Sequence, residues 1–115
     1  MFQKATPRGQ VRLGEIVHVD VAGEDVALYL VDGRVLATSN ICPHAYCLLH
    51  ENGVVYGENV ECSCHGSTFK IETGENVNPP SSNPLATFPA EVRDGEVFID
   101  VSAVQAPPSG RTEAV

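Results

Sequence analysis

From Ile16 to Val101 apolar and polar positions alternate in short runs, the pattern of half-buried β-strands rather than helices. Ile16-Val17-His18-Val19-Asp20-Val21 is rich in β-branched residues and is bounded by Gly14-Glu15 and Gly23-Glu24-Asp25. Val26–Val31 follows as a run of 6 apolar residues, then Asp32-Gly33, then Arg34–Thr38. Two apolar runs around an Asp-Gly pair predict a hairpin, because a type I′ turn needs positive φ at both central residues. The same device recurs at Asp94-Gly95, between Ala90–Arg93 and Glu96–Val101. Short strands are also predicted over Gly53–Tyr56, Val60–Cys62 and Thr68–Ile71, turned by Gly57-Glu58-Asn59 and Thr73-Gly74-Glu75. No 12-residue stretch has helical spacing. The fold class predicted is all-β, a small antiparallel β-barrel or sandwich.

Two stretches leave this pattern. Asn76 to Pro84 carries Pro79, Pro80 and Pro84 among Asn and Ser, and reads as an irregular, stiff loop. From Ala103 onward the chain is polar and holds Pro107, Pro108 and Gly110, so residues 103–115 are expected to be a disordered tail without chemistry. The remaining residues, 1–102, are of the size of one domain. A chain of 115 residues can build a core without extra staples.

Charge narrows the partners. Lys and Arg number 7 against 15 Asp and Glu, a net charge of -8. Nucleic acid and anionic membrane both reward clustered cations, so neither is expected as a partner. The N-terminal residues contain no apolar export segment, and 6 apolar residues fall far short of the roughly 20 that span a bilayer. The expected compartment is the cytoplasm, where cysteines are mostly reduced or engaged by metal.

The 4 Cys therefore need a role other than a disulfide scaffold. All of them, with 2 of the 4 His, fall into Cys42-Pro43-His44-Ala45-Tyr46-Cys47 and Cys62-Ser63-Cys64-His65-Gly66-Ser67. Each cluster follows a predicted strand, so the two can form neighbouring loops at one end of a barrel. Thiolate and imidazole suit zinc, copper and iron–sulfur centres. Structural zinc sites usually pair Cys with Cys and His with His, whereas each loop here offers one of each. A thiol–disulfide oxidoreductase is disfavoured because no C-x-x-C opens a helix after a strand.

The C-x-H and C-x-x-H loops, with 17 residues between His44 and Cys62, resemble the Rieske family. The resemblance covers about Glu15 to Val101. It implies one [2Fe–2S] cluster per chain, in which two imidazoles replace two thiolates on one iron. Cys42 and Cys62 would bind the inner iron, and His44 and His65 the outer iron near the surface. The cluster-binding subdomain of hairpin loops would span about residues 40–84. Cys47 and Cys64 occupy the positions that form a disulfide between the loops in Rieske proteins of quinol-oxidising complexes; two buried reduced thiols are the alternative. Ser67 stands where high-potential members hydrogen-bond a bridging sulfide. By the same resemblance Tyr46, Leu48 and Leu49 would cover or underlie the cluster, and Pro79 and Pro80 would form a third wall. His18 and His50 read as surface or half-buried residues rather than ligands.

The span Cys42–Leu49 is similar to the ferredoxin component of bacterial ring-hydroxylating dioxygenase systems. That resemblance implies a monomeric one-electron carrier with no catalytic residues of its own. Its partners would be an NAD(P)H-dependent flavoprotein reductase and a terminal aromatic-ring-hydroxylating oxygenase, docked transiently by the acidic surface. The alternative is a small Rieske subunit of a reductase or oxidase complex, such as nitrite reductase or an arsenite-oxidase-like enzyme.

Two residues after Ser67, high-potential members carry a Tyr that donates to a cysteine sulfur, and Phe69 has no such donor. An intermediate-to-low potential follows, within the Rieske range of about -150 to +300 mV. Phe69→Tyr is expected to raise the midpoint potential. Voltammetry checks this, and an unchanged or lowered potential would contradict it.

Overall fold

The computed structural model describes residues 1–43, 47–64, 66–78 and 83–104. The Tyr46, Pro79 and Pro80 expectations, and the tail from residue 105, fall outside these residues. The chain runs β1 (Gln3–Pro7), β2 (Val17–Val21), β3 (Glu24–Val31), β4 (Arg34–Ser39), α1 (Leu49–Asn52), β5 (Gly53–Tyr56) and β6 (Asn59–Cys62). It continues with β7 (Ser67–Lys70), β8 (Thr87–Phe88), β9 (Ala90–Arg93) and β10 (Glu96–Ile99).

The predicted strands all form, with ends shifted by a residue or two. The β3–β4 hairpin closes from Val31 to Arg34 and the β9–β10 hairpin from Arg93 to Glu96. At both turns Asp and Gly have positive φ, 52° and 76° in the first, 51° and 77° in the second. A third turn of this form, Ala22-Gly23, joins β2 to β3. The sequence pattern did not distinguish three short elements. β1 is an edge strand with no alternation, held by pairing to β10. β8 has two residues, and α1 has four, too few for any period to show.

Among the described residues the strands assemble into three antiparallel sheets, ordered β1-β10-β9, β2-β3-β4-β8 and β5-β6-β7. The middle sheet is covered on both faces, and β3 shows how. Val26 and Leu28 face one core with Val21, Ala37, Phe88, Val97 and Ile99. Ala27, Tyr29 and Val31 face a second core with Leu49, Val60, Phe69, Ile71 and Leu85. A strand buried on both faces has no polar side, which is why Val26–Val31 reads as an unbroken apolar run.

One hydrogen bond anchors the second core. The Tyr29 hydroxyl lies 2.8 Å from Thr38 Oγ1 and is buried. The Thr38 proton goes to the Ser39 carbonyl at 2.9 Å, so Tyr29 is the donor. Burial pushes the phenol pKa well above its ordinary value, against the smaller opposing effect of the Thr38 bond, and keeps it neutral. Gly74 packs directly against Leu85. Its φ is +79°, its carbonyl accepts from Leu85 N–H at 2.8 Å, and a Cβ there would collide with the Leu85 carbonyl.

Tyr29→Phe removes a buried donor while Thr38 keeps its bond to Ser39. The expected loss in urea unfolding is about 1 kcal/mol. A loss near zero would show that the hydroxyl contributes nothing to the core.

Candidate metal centre

Two short stems present the cysteines. The first extends β4: Ile41 and Leu48 face each other in an isolated antiparallel bridge. The Cys42 N–H donates to the Cys47 carbonyl at 2.8 Å, which continues the stem by one more bond. The second stem is the β6–β7 hairpin. Cys62 pairs with Ser67, and Gly66 N–H donates to the Cys62 carbonyl at 2.8 Å. The loops meet through a disulfide between Cys47 and Cys64, whose Cα atoms are 6.7 Å apart. α1 adds a further tie, because the Asn52 carbonyl accepts both the N–H of Ser63 at 2.9 Å and its hydroxyl at 2.6 Å.

Cys42 and Cys62 stand outside the disulfide, and both are 0% exposed. They belong to the same core as Tyr29, Leu49 and Phe69. The Cys62 sulfur lies within 4.8 Å of both disulfide sulfurs. Those two sulfurs are spent in their own bond, and among the described cysteines Cys42 and Cys62 stand outside it. Ser67 is buried at the start of β7, and Phe69 lies two residues on, on the same face and fully buried. Leu49 packs in this core, while Leu48 is half-buried. His44 and His65 lie outside the described residues.

The residue that organises the first stem is Asn40, which the sequence did not single out. It is fully buried and bonded at four atoms. Its N–H donates to the Asp25 carbonyl at 2.9 Å, and its carbonyl accepts from Leu49 N–H at 2.7 Å. Its side-chain oxygen accepts from His50 N–H at 2.9 Å, and its amide nitrogen lies 2.8 Å from His50 Nδ1. The amide can only donate, so Nδ1 accepts and the ring proton sits on Nε2. The His50 ring also stacks on His18 at 3.7 Å, with 13° between the planes. His18 Nδ1 in turn is 3.2 Å from Asp25 Oδ1. Both histidines are thus engaged in structural contacts. An Asn between a strand and a Cys-Pro pair reads as an ordinary loop residue, and nothing local marks it as buried.

The comparisons with known proteins fit this arrangement. A profile of the Rieske [2Fe-2S] domain matches residues 1–89. The ferredoxin component of the p-cumate 2,3-dioxygenase system of Pseudomonas putida is 41% identical over 91 residues, covering 78% of this chain and 77% of the relative. The solved Sphingomonas yanoikuyae B1 ferredoxin is 35% identical with a TM-score of 0.80, over 87% of this chain and 98% of its own. A ferredoxin solved in complex with the oxygenase of carbazole 1,9a-dioxygenase is 32% identical with a TM-score of 0.77, over 85% of this chain and 91% of its own. The chain belongs to the Rieske [2Fe-2S] family.

Asn40→Ala orphans the His50 N–H and releases α1 from the first loop. A destabilisation of about 2 kcal/mol is expected in urea unfolding. A variant as stable as the parent would deny Asn40 this role.

Proposed function

We propose that this chain is the one-electron carrier of an aromatic-ring-hydroxylating oxygenase system, an electron-transfer component rather than an enzyme. It would take electrons from an NAD(P)H-dependent flavoprotein reductase and deliver them to a terminal oxygenase. The observation that carries the reading is a pair of thiols, Cys42 and Cys62, buried in one core beneath two loops clasped by a disulfide. That donor set fits an iron–sulfur cluster: soft thiolate ligands, shielded from water, on stems braced by backbone hydrogen bonds. In this reading Cys42 and Cys62 hold one iron, and His44 and His65 hold the other.

When bound, a [2Fe–2S] cluster supplies a one-electron couple, raised in potential by neutral imidazole ligands. The chain's own groups do the rest. The core residues around Cys42 and Cys62 exclude water from the thiolate side. The Ser67 hydroxyl would hydrogen-bond a sulfide of the bound cluster, and Phe69 brings no hydroxyl of its own to the site. The working domain is residues 1–102, with cluster loops over about 40–84 and no role for 103–115.

Partner choice follows from charge. No Lys or Arg stands between Arg34 and Lys70, the stretch that holds both loops, whereas Glu51, Glu58 and Glu61 do. Glu51 and Glu58 are exposed, and so is Ile41 at the base of the first loop. A net charge of -8 with no cation in this stretch suits a weak, salt-sensitive complex with a basic surface on each partner. The oxygenase as acceptor is supported by the ferredoxin–oxygenase complex among the similar structures. The reductase as donor rests on the nature of such multicomponent systems. Among the described residues no helix is long and apolar enough to cross a membrane, and the cytoplasm is the compartment proposed.

Purified protein is expected to be red-brown and to hold about two irons and two acid-labile sulfides per chain. Cys62→Ser and His65→Ala should each abolish the Rieske spectrum, whereas His50→Ala should keep it. A colourless zinc protein, or a His65→Ala variant with an intact spectrum, would overturn the ligand assignment. Failure of the loaded protein to pass electrons from a flavoprotein reductase to an oxygenase would overturn the carrier role.

A further inference from the structure

The segment that follows β7 does more than lead into the proline-rich loop. Asn76 bridges Phe69, and Val77 N–H donates to the Thr68 carbonyl at 2.8 Å, so residues 76–78 lie along the free edge of β7. At Asn78 a side chain takes over from the backbone. Its Oδ1 accepts the Thr68 N–H at 2.9 Å, and its Nδ2 donates to the Gly66 carbonyl at 2.7 Å. In an extended strand the carbonyl of one residue and the N–H two residues later point the same way. The Asn78 carboxamide presents one acceptor and one donor to match them. The pairing fixes the amide orientation, since reversing it would set donor against donor and acceptor against acceptor. A third bond, from Asn78 N–H to Asn76 Oδ1 at 3.0 Å, holds the Asn78 backbone in place.

The residue between Gly66 and Thr68 is Ser67. β6 holds it on one edge, through the Cys62 pairing, and Asn78 brackets it on the other. We infer that Asn78 is a positioning residue that sets the Ser67 hydroxyl for its bond to the cluster, coupling the proline-rich loop to the cluster's redox potential. The inference rests on the reading that Ser67 donates to a bridging sulfide. Asn78 acts only through the backbone on either side of Ser67.

A mutant cycle on the loaded protein tests this, with the midpoint potential measured by voltammetry at fixed pH and salt. Ser67→Ala is expected to lower the potential, and Asn78→Ala to lower it in the same direction. In the double variant the two shifts should not add, because Asn78 has nothing left to position once the hydroxyl is gone. Mass-spectrometric hydrogen exchange should also show the Thr68 amide exchanging faster in Asn78→Ala. Additive shifts, or an Asn78→Ala potential equal to the parent's, would overturn the inference while leaving the Ser67 reading intact. An unchanged potential in Ser67→Ala would instead remove that reading and the inference with it. If Asn78→Ala does not retain the cluster, Asn78→Ser takes its place in the cycle, since its hydroxyl can accept from Thr68 but cannot also reach Gly66. The same additivity criterion then decides.

Discussion

The site depends on keeping two thiols dry on a frame that cannot collapse around them. Cys42 and Cys62 are both fully buried, yet each stands where a stem gives way to a loop, and loop backbone ordinarily seeks water. The fold meets this constraint by placing the loops over a core with its own closed packing. Because β3 is apolar on both faces, the middle sheet supports two cores at once. One fills the barrel, and the other forms the floor beneath the cysteines. Tyr29 and Phe69 give that floor its bulk, and the Tyr29–Thr38 bond satisfies the buried hydroxyls it would otherwise contain.

Rigidity above the floor comes from hydrogen bonds closed at every stem. Asn40 pins the first loop to β3 and α1, α1 pins the second loop through the Asn52 carbonyl, and Asn78 pins β7 to the segment beyond it. The Cys47–Cys64 disulfide then joins the loops across a sequence separation of 17 residues. In the chain-entropy account a bridge of this span stabilises by about 3 kcal/mol, by limiting the unfolded chain. A frame so constrained changes shape little when charge is added or removed, as electron transfer requires.

The surface serves the same end. The stretch between Arg34 and Lys70, which holds both loops, contains no cation, within a chain of net charge -8. Charge of one sign near the point of electron exchange speeds encounter and orients it without demanding a large buried interface. The structurally similar ferredoxin in complex with an oxygenase is consistent with a carrier of this type.

Much of this could be read from the sequence. Asp32-Gly33 and Asp94-Gly95 specified hairpins because few residues tolerate positive φ. The unbroken run Val26–Val31 specified a strand with no solvent face. The Cys and His spacing specified the family, since metal ligation depends on which atoms neighbouring loops offer. β1, β8 and α1 were not legible, being too short or too polar for a period to show, and existing only because a partner pairs with them. Asn40, Asn78 and the His18–His50 stack were hidden for a related reason. The groups that the two Asn side chains bond, and the ring each histidine stacks on, are 10 or more residues away along the chain, so nothing beside them in sequence marks these contacts. The sequence by itself determined the hairpins, the apolar strand and the donor set, because those rest on local backbone sterics and ligand chemistry. Only the tertiary structure decided which polar side chains brace the site, because a buried amide is defined by the distant groups it satisfies.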